Sequence, residues 1–108
     1  MFNVFKKNKT TTPEVRMLEQ IVSKCNKNPG GYYACVVLSA SGWKSIRYLN
    51  KRGLIKYFKT DNPDSIKITL TLFCLYLTKI KKYDIEKVYN EATSLYNLIG
   101  GERNGVRL

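Results

Sequence analysis

Lys44, Arg47 and Lys51 recur at intervals of three and four residues, the spacing that puts side chains on one face of a helix. Cations in such a row hold phosphate oxygens. The planar guanidinium of the middle one can also donate two hydrogen bonds to the paired acceptors on a guanine edge. Arg52 follows directly, and Lys56, Lys59 and Lys67 continue the series, with Thr60 and Asn62 as neutral donors between them. Ser41, Tyr48 and Tyr57 add hydroxyl groups of the kind that reach phosphate. The window from Gln20 to Thr60 holds eight Lys or Arg and no Asp or Glu. A solvated face ordinarily mixes both signs, because like charges repel in the folded state. The expectation is therefore a binding surface for a polyanion.

Local pattern indicates which elements must carry these side chains. Thr12-Pro13-Glu14 reads as a helix start, with a hydroxyl cap, Pro at the first helical position and an acid in the first turn. Val15, Leu18, Val22 and Cys25 mark one apolar stripe, and Asn28-Pro29-Gly30-Gly31 ends that helix. The run Tyr32–Leu38 suits a strand or a buried helix equally. Ser39–Gly42 is a short turn, with Ser41 expected to cap a helix over about 42–52 that Gly53 closes in the left-handed conformation. Leu54–Thr60 reads as a strand, and Asp61-Asn62-Pro63-Asp64 as a turn. Alternation of Ile66, Ile68, Leu70 and Leu72 with polar residues predicts the returning strand of a hairpin. Residues 72–82 are expected to be helical, although the strand pattern could extend into them. Asp84 is expected to cap a last helix whose stripe is Ile85, Val88, Ala92, Leu95 or Tyr96, and Ile99, with Gly100-Gly101 as its stop.

Composition bounds the function. A chain of 108 residues with 44% hydrophobic and 12% aromatic content suits one folded domain. Nineteen Lys or Arg against eight Asp or Glu give a formal charge of +11, which speaks of anionic partners and not of fold. There is no His, which removes His-based acid–base chemistry, the usual nucleophilic triads and the common zinc sites. Cys25, Cys35 and Cys74 are widely spaced in apolar surroundings and are read as reduced, buried thiols. No cofactor and no metal is expected. The start shows no continuous apolar core of a signal peptide, and the fully apolar runs, Tyr32–Leu38 and Leu72–Leu77, are far too short to cross a membrane. The location expected on these grounds is cytoplasmic.

Taken in order, the helix, the apolar element, the turn Ser39–Gly42, the basic helix 42–52, the junction Leu49-Asn50-Lys51-Arg52-Gly53-Leu54-Ile55 and the hairpin resemble the winged helix-turn-helix superfamily of DNA-binding proteins. The resemblance covers about residues 14–72. It implies an α+β fold with a three-helix core and a β-hairpin wing, here followed by C-terminal helices. It also implies that helix 42–52 enters the major groove of double-stranded DNA while wing 54–72 lies along the backbone or in the minor groove. The domain division that follows is a basic arm at 1–11, the winged helix-turn-helix at 12–72, dimerisation helices at 73–100 and a flexible tail at 101–108. Similar small stand-alone proteins occur on conjugative plasmids. The resemblance thus allows either a transcriptional regulator or an accessory factor that marks an origin or transfer site for other proteins of a nucleoprotein complex.

Duller readings stand beside these. Lys44 and Lys51 suit a solvated face, Arg47 could pair with Glu91, and Trp43, Tyr48 and Tyr57 suit packing. Lys56 and Lys59 suit an edge strand protected against aggregation. Asp61 and Asp64 would repel phosphate, so either the tip stays clear of DNA or these acids orient Lys59 and Lys67, and the flanks of the wing are better contacts than its tip. The last stripe, Ile85, Val88, Tyr89, Ala92, Leu95, Tyr96 and Ile99, could fold back on the first helix, but its length favours a homodimer interface. A DNA-nicking enzyme with a Tyr nucleophile would need a metal site that scattered acids do not offer. The alternative non-enzymatic reading is a protein- or anionic-membrane-binding module.

Overall fold

The hydroxyl of Thr12 accepts a hydrogen bond from the Val15 N–H at 3.2 Å, and Pro13 opens α1, Pro13–Lys27, as its chemistry requires. The protein's structure, a computed structural model, describes residues 12–106. The expected arm over 1–11 and the last two residues of the expected tail lie outside this range. The chain continues through β1 (Tyr32–Val36), α2 (Ala40–Lys51), β2 (Ile55–Lys59), β3 (Ser65–Leu70), the short α3 (Leu72–Leu75) with a π-helical turn over Tyr76–Ile80, and α4 (Ile85–Val106).

The fold is α+β, with a three-stranded antiparallel sheet in the order β1-β3-β2. The ambiguous run after Gly31 is a strand. Tyr33 pairs with Ile68 and Cys35 with Ile66, so the run gains a ladder partner that a helix there would lack. Only one helix therefore lies between β1 and β2. On the other edge of β3, Ile55 pairs with Leu70, Tyr57 with Ile68 and Lys59 with Ile66.

Two boundaries differ from expectation. The cap of α2 is Ser39, whose Oγ accepts from the Gly42 N–H at 3.0 Å, and Ser41 lies in the first turn. Ser39 serves because the chain closes tightly there: a Cβ on Gly42 would meet Ser39 Oγ and Val37 Cγ1 at 3.1 Å. At the other end, α4 runs through Gly100 and Gly101 to Val106. Each helical Gly costs about 1 kcal/mol, which weakens a helix without ending it when no Pro follows.

The end of α2 is built as expected. Gly53 has φ +75°, its N–H donates to Asn50 O, and the Leu54 N–H reaches back to Leu49 O, a pair of bonds that closes a helix and redirects the chain. The Thr71 hydroxyl donates to Gly53 O and its N–H to Leu54 O, which ties this junction to the start of α3.

One core serves the whole molecule. Leu18, Ile21, Ile46, Leu49, Leu54, Ile55, Ile66 and Ile68 are fully buried, each contributing about 1.5–3 kcal/mol of transfer free energy. Cys74, Leu77, Val88 and Ala92 belong to the same cluster. α3 and α4 thus pack into the core that α1, α2 and the sheet begin, across the division expected at residue 72.

Candidate nucleic-acid interface

Successive residues turn by about 100° around a helix, so the buried positions of α2 fix where the others point. Ser45, Ile46 and Leu49 are its buried positions. Lys44, Arg47 and Lys51 stand opposite them and are exposed, as their spacing requires. The stripe has a different neighbour on each flank. On one side, Trp43 meets Tyr57 of β2 edge to face at 6.0 Å, and Asn50 Nδ2 donates to Ile55 O at 3.0 Å, which holds α2 against the hairpin. On the other side, Tyr48 and Arg52 turn toward α4.

The expected site residues divide by this geometry. Lys44, Arg47 and Lys51 share the outward side of α2, and Lys44 Nζ lies 5.7 Å from the centre of the Tyr48 ring. Ser41 is exposed but stands off this row, in a hollow that Pro13, Arg16 and Gln20 of α1 also line. Lys59 belongs with them, because it follows Tyr57 by two residues and so stands on the hairpin face that α2 packs against. Lys56 and Lys67 do not. Strand alternation turns both to the opposite face of the sheet, where they are exposed. Tyr57 is half-buried against Trp43, the packing outcome.

Three further residues serve the fold. Arg52 is half-buried, with Nε donating to Thr93 Oγ1 at 3.0 Å and Nη1 to Tyr48 O at 3.1 Å. Its guanidinium carbon lies 5.0, 5.6 and 4.8 Å from the ring centres of Tyr48, Tyr89 and Tyr96. It clamps α4 to α2. At the hairpin tip, Thr60 Oγ1 donates to Asn62 O and Ser65 O, and Asn62 Oδ1 accepts from the Asp64 N–H at 3.0 Å. These two side chains build the turn. Among the described residues the ion pair within 4 Å is Lys87–Glu91 at 3.9 Å. Glu91 therefore does not hold Arg47, and the tip acids Asp61 and Asp64 do not orient Lys59 or Lys67.

The α4 stripe also splits. Val88 and Ala92 are 0% and 1% exposed, so they are core and offer nothing to a second copy. Ile85 and Tyr89 are half-buried against the same core, and Tyr96 is half-buried beside Arg52. Leu95 and Ile99 are exposed at 43% and 52%, and Leu98, absent from the expected stripe, at 60%. Leu95, Ile99 and Phe73 line a groove of about 370 Å³ with Lys51 and Arg52.

Cys25 and Cys74 are buried as expected, whereas Cys35, on edge strand β1, is only half-buried. Burial raises the pKa of Cys25, Cys35 and Cys74, and that of Cys74 reaches about 11 with a smaller contribution from Cys25 nearby. Cys25 Sγ donates to Ile68 O at 3.6 Å. Among the described residues no three His, Cys, Asp or Glu side chains are grouped to hold a metal, and no helix is long and apolar enough to cross a membrane. Comparison with protein-family models, with curated proteins and with solved structures gave no match.

Proposed function

We propose that this chain is a non-enzymatic, cytoplasmic protein that binds double-stranded DNA in a sequence-specific way. The outward side of α2 enters the major groove, and the α2-facing side of the hairpin, through Lys59, lies on the adjoining backbone. The observation that carries the reading is the row Lys44, Arg47 and Lys51, exposed and free of acidic neighbours in sequence from Gln20 to Thr60. The strand order β1-β3-β2 and the tight exit of α2 through Gly53 into the hairpin support a winged arrangement. The single helix between β1 and β2 is a departure from the helix pair that gives that superfamily its name. Arg47 is assigned to base reading, because a guanidinium matches the two guanine acceptors, and Lys44, Lys51 and Lys59 are assigned to phosphates.

In this reading Leu95, Leu98 and Ile99 join two copies, so that two α2 helices reach successive major-groove faces. Fluorescence anisotropy of a labelled duplex titrated between 50 and 200 mM salt tests the reading. Four cationic contacts per protomer predict a log–log slope of roughly −3 to −4 per protomer. No duplex binding at near-physiological salt, or binding to anionic vesicles in its place, would refute it. A footprint on source DNA then separates a regulator, bound at promoters, from an accessory factor, bound at a transfer or replication origin with other proteins.

A further inference from the structure

The outer face of the sheet is a second surface. Strand alternation brings Tyr32, Ala34 and Val36 of β1, Ser65, Lys67 and Thr69 of β3, and Lys56 and Phe58 of β2 to one side. Phe58 is 52% exposed and Val36 56%, although large apolar side chains on a sheet normally turn inward. The register sets Phe58 beside Lys67, and Tyr32 in the next row, on the far edge strand. Lys67 Nζ lies 4.4 Å from the centre of the Tyr32 ring, between the two aromatic positions. None of the three strands contains Asp or Glu.

From these observations we infer that this face binds single-stranded DNA, with unpaired bases stacked on Phe58 and Tyr32 and the connecting phosphates held by Lys56 and Lys67. An aromatic ring set flat on an open sheet gives any base a stacking surface, and lysines between such rings meet the backbone. Tyr32 and Phe58 stand two strands and one row apart, about 12 Å from strand and residue spacings, which an extended strand crosses in about two nucleotides. Charge complementarity selects a polyanion as the occupant. A second copy of the chain would set Lys56 and Lys67 against the same two lysines. The choice of DNA over RNA rests on the duplex reading above, and the stacking does not. The two surfaces lie on opposite faces of one hairpin, so the protein would hold a place where duplex opens into single strand.

The test compares a labelled oligothymidine 12-mer, the corresponding RNA and a labelled duplex, each titrated with the full chain and with Phe58→Ala, Phe58→Leu and Arg47→Ala. Circular dichroism verifies that each variant is folded. Phe58→Ala and Phe58→Leu should each weaken oligothymidine binding by at least about fivefold while leaving duplex binding within about twofold. Arg47→Ala should do the reverse, so either surface can fail without the other. Wild-type chain that does not bind oligothymidine, or folded Phe58 variants that bind it undiminished, would overturn the inference. So would tighter binding of the RNA. If Phe58→Ala changes the oligomeric state in ultracentrifugation and not the single-strand affinity, the face joins copies of the chain and the inference falls.

Discussion

Replacing Arg52 by Ala separates a residue that holds the fold from one that holds DNA. The guanidinium makes two hydrogen bonds, to Thr93 Oγ1 and Tyr48 O, and lies over three tyrosine rings. Charge-assisted hydrogen bonds contribute about 1.5–3 kcal/mol when buried, and about 1 kcal/mol each is appropriate for this half-exposed group. Each ring adds about 0.5–1 kcal/mol. The contacts share one side chain and are not additive, so the expected loss is about 2–3 kcal/mol. For a domain of this size that lowers the melting temperature by roughly 10–20 °C. Arg52→Lys should recover less than half of it, since an ammonium cannot reproduce the planar fork. The assay is thermal and urea unfolding followed by circular dichroism, with duplex affinity measured well below the variant's transition. Affinity should stay within about twofold of wild type. An Arg52→Ala protein with unchanged melting and lost duplex binding would refute the clamp and return Arg52 to the DNA surface.

Arg47→Ala should cost about 1–3 kcal/mol on the cognate duplex and much less on random sequence, whereas Lys59→Ala should weaken all duplexes alike and Lys56→Ala should leave them nearly unchanged. Competition binding with cognate and scrambled duplexes reads all three. Cys74 has a folded-state pKa of about 11, above its ordinary value of 9.0. The stability this thiol contributes is therefore fully present below pH 9 and is lost as pH rises through 9 to 11, by about 2–3 kcal/mol. Urea midpoints across that range should fall, and Cys74→Ala should flatten that part of the decline. Val88→Asp should unfold the chain by placing an unpaired charge in the core, while Leu98→Lys should leave melting within about 1 kcal/mol of wild type and dissociate any dimer. Ultracentrifugation with parallel melts distinguishes them.

The sequence was most legible where one residue type has one local consequence. Thr12-Pro13, Gly53, Asp84 and the alternation of Ile66, Ile68 and Leu70 each led to the element observed, and Asp84 Oδ1 accepts from the Lys87 N–H at 2.8 Å as a cap should. The outward row Lys44, Arg47 and Lys51 was readable for the same reason, since the helical period alone separates it from Ile46 and Leu49. Tertiary partners decided the rest. Arg52 looked like one more cation because Tyr89, Thr93 and Tyr96 come from a helix about forty residues later. Val88 and Ala92 looked like an interface because apolar periodicity does not say which surface a stripe meets. Thr60 and Asn62 looked like donors to phosphate because a turn's own hydrogen bonds are not visible before it folds. Phe58 and Tyr32 were missed, yet β2 carried the signal. Lys56 and Phe58 share a parity opposite to Ile55 and Tyr57, so both had to face away from the core.

The π-helical turn before α4 also sets limits on the chain. Over Tyr76–Ile80 the backbone ladder widens, the Lys81 N–H reaches Tyr76 O, and the Thr78 hydroxyl donates to Cys74 O at 2.9 Å. The helix ends at Ile80, and residues 81–84 leave it, with Lys82 at φ +58° and the Tyr83 N–H reaching back to Leu77 O. This left-handed corner redirects the chain, so that Tyr83 packs on the core and Asp84 caps α4. A β-branched residue at position 82 should therefore be far less tolerated than a Gly or Asn there.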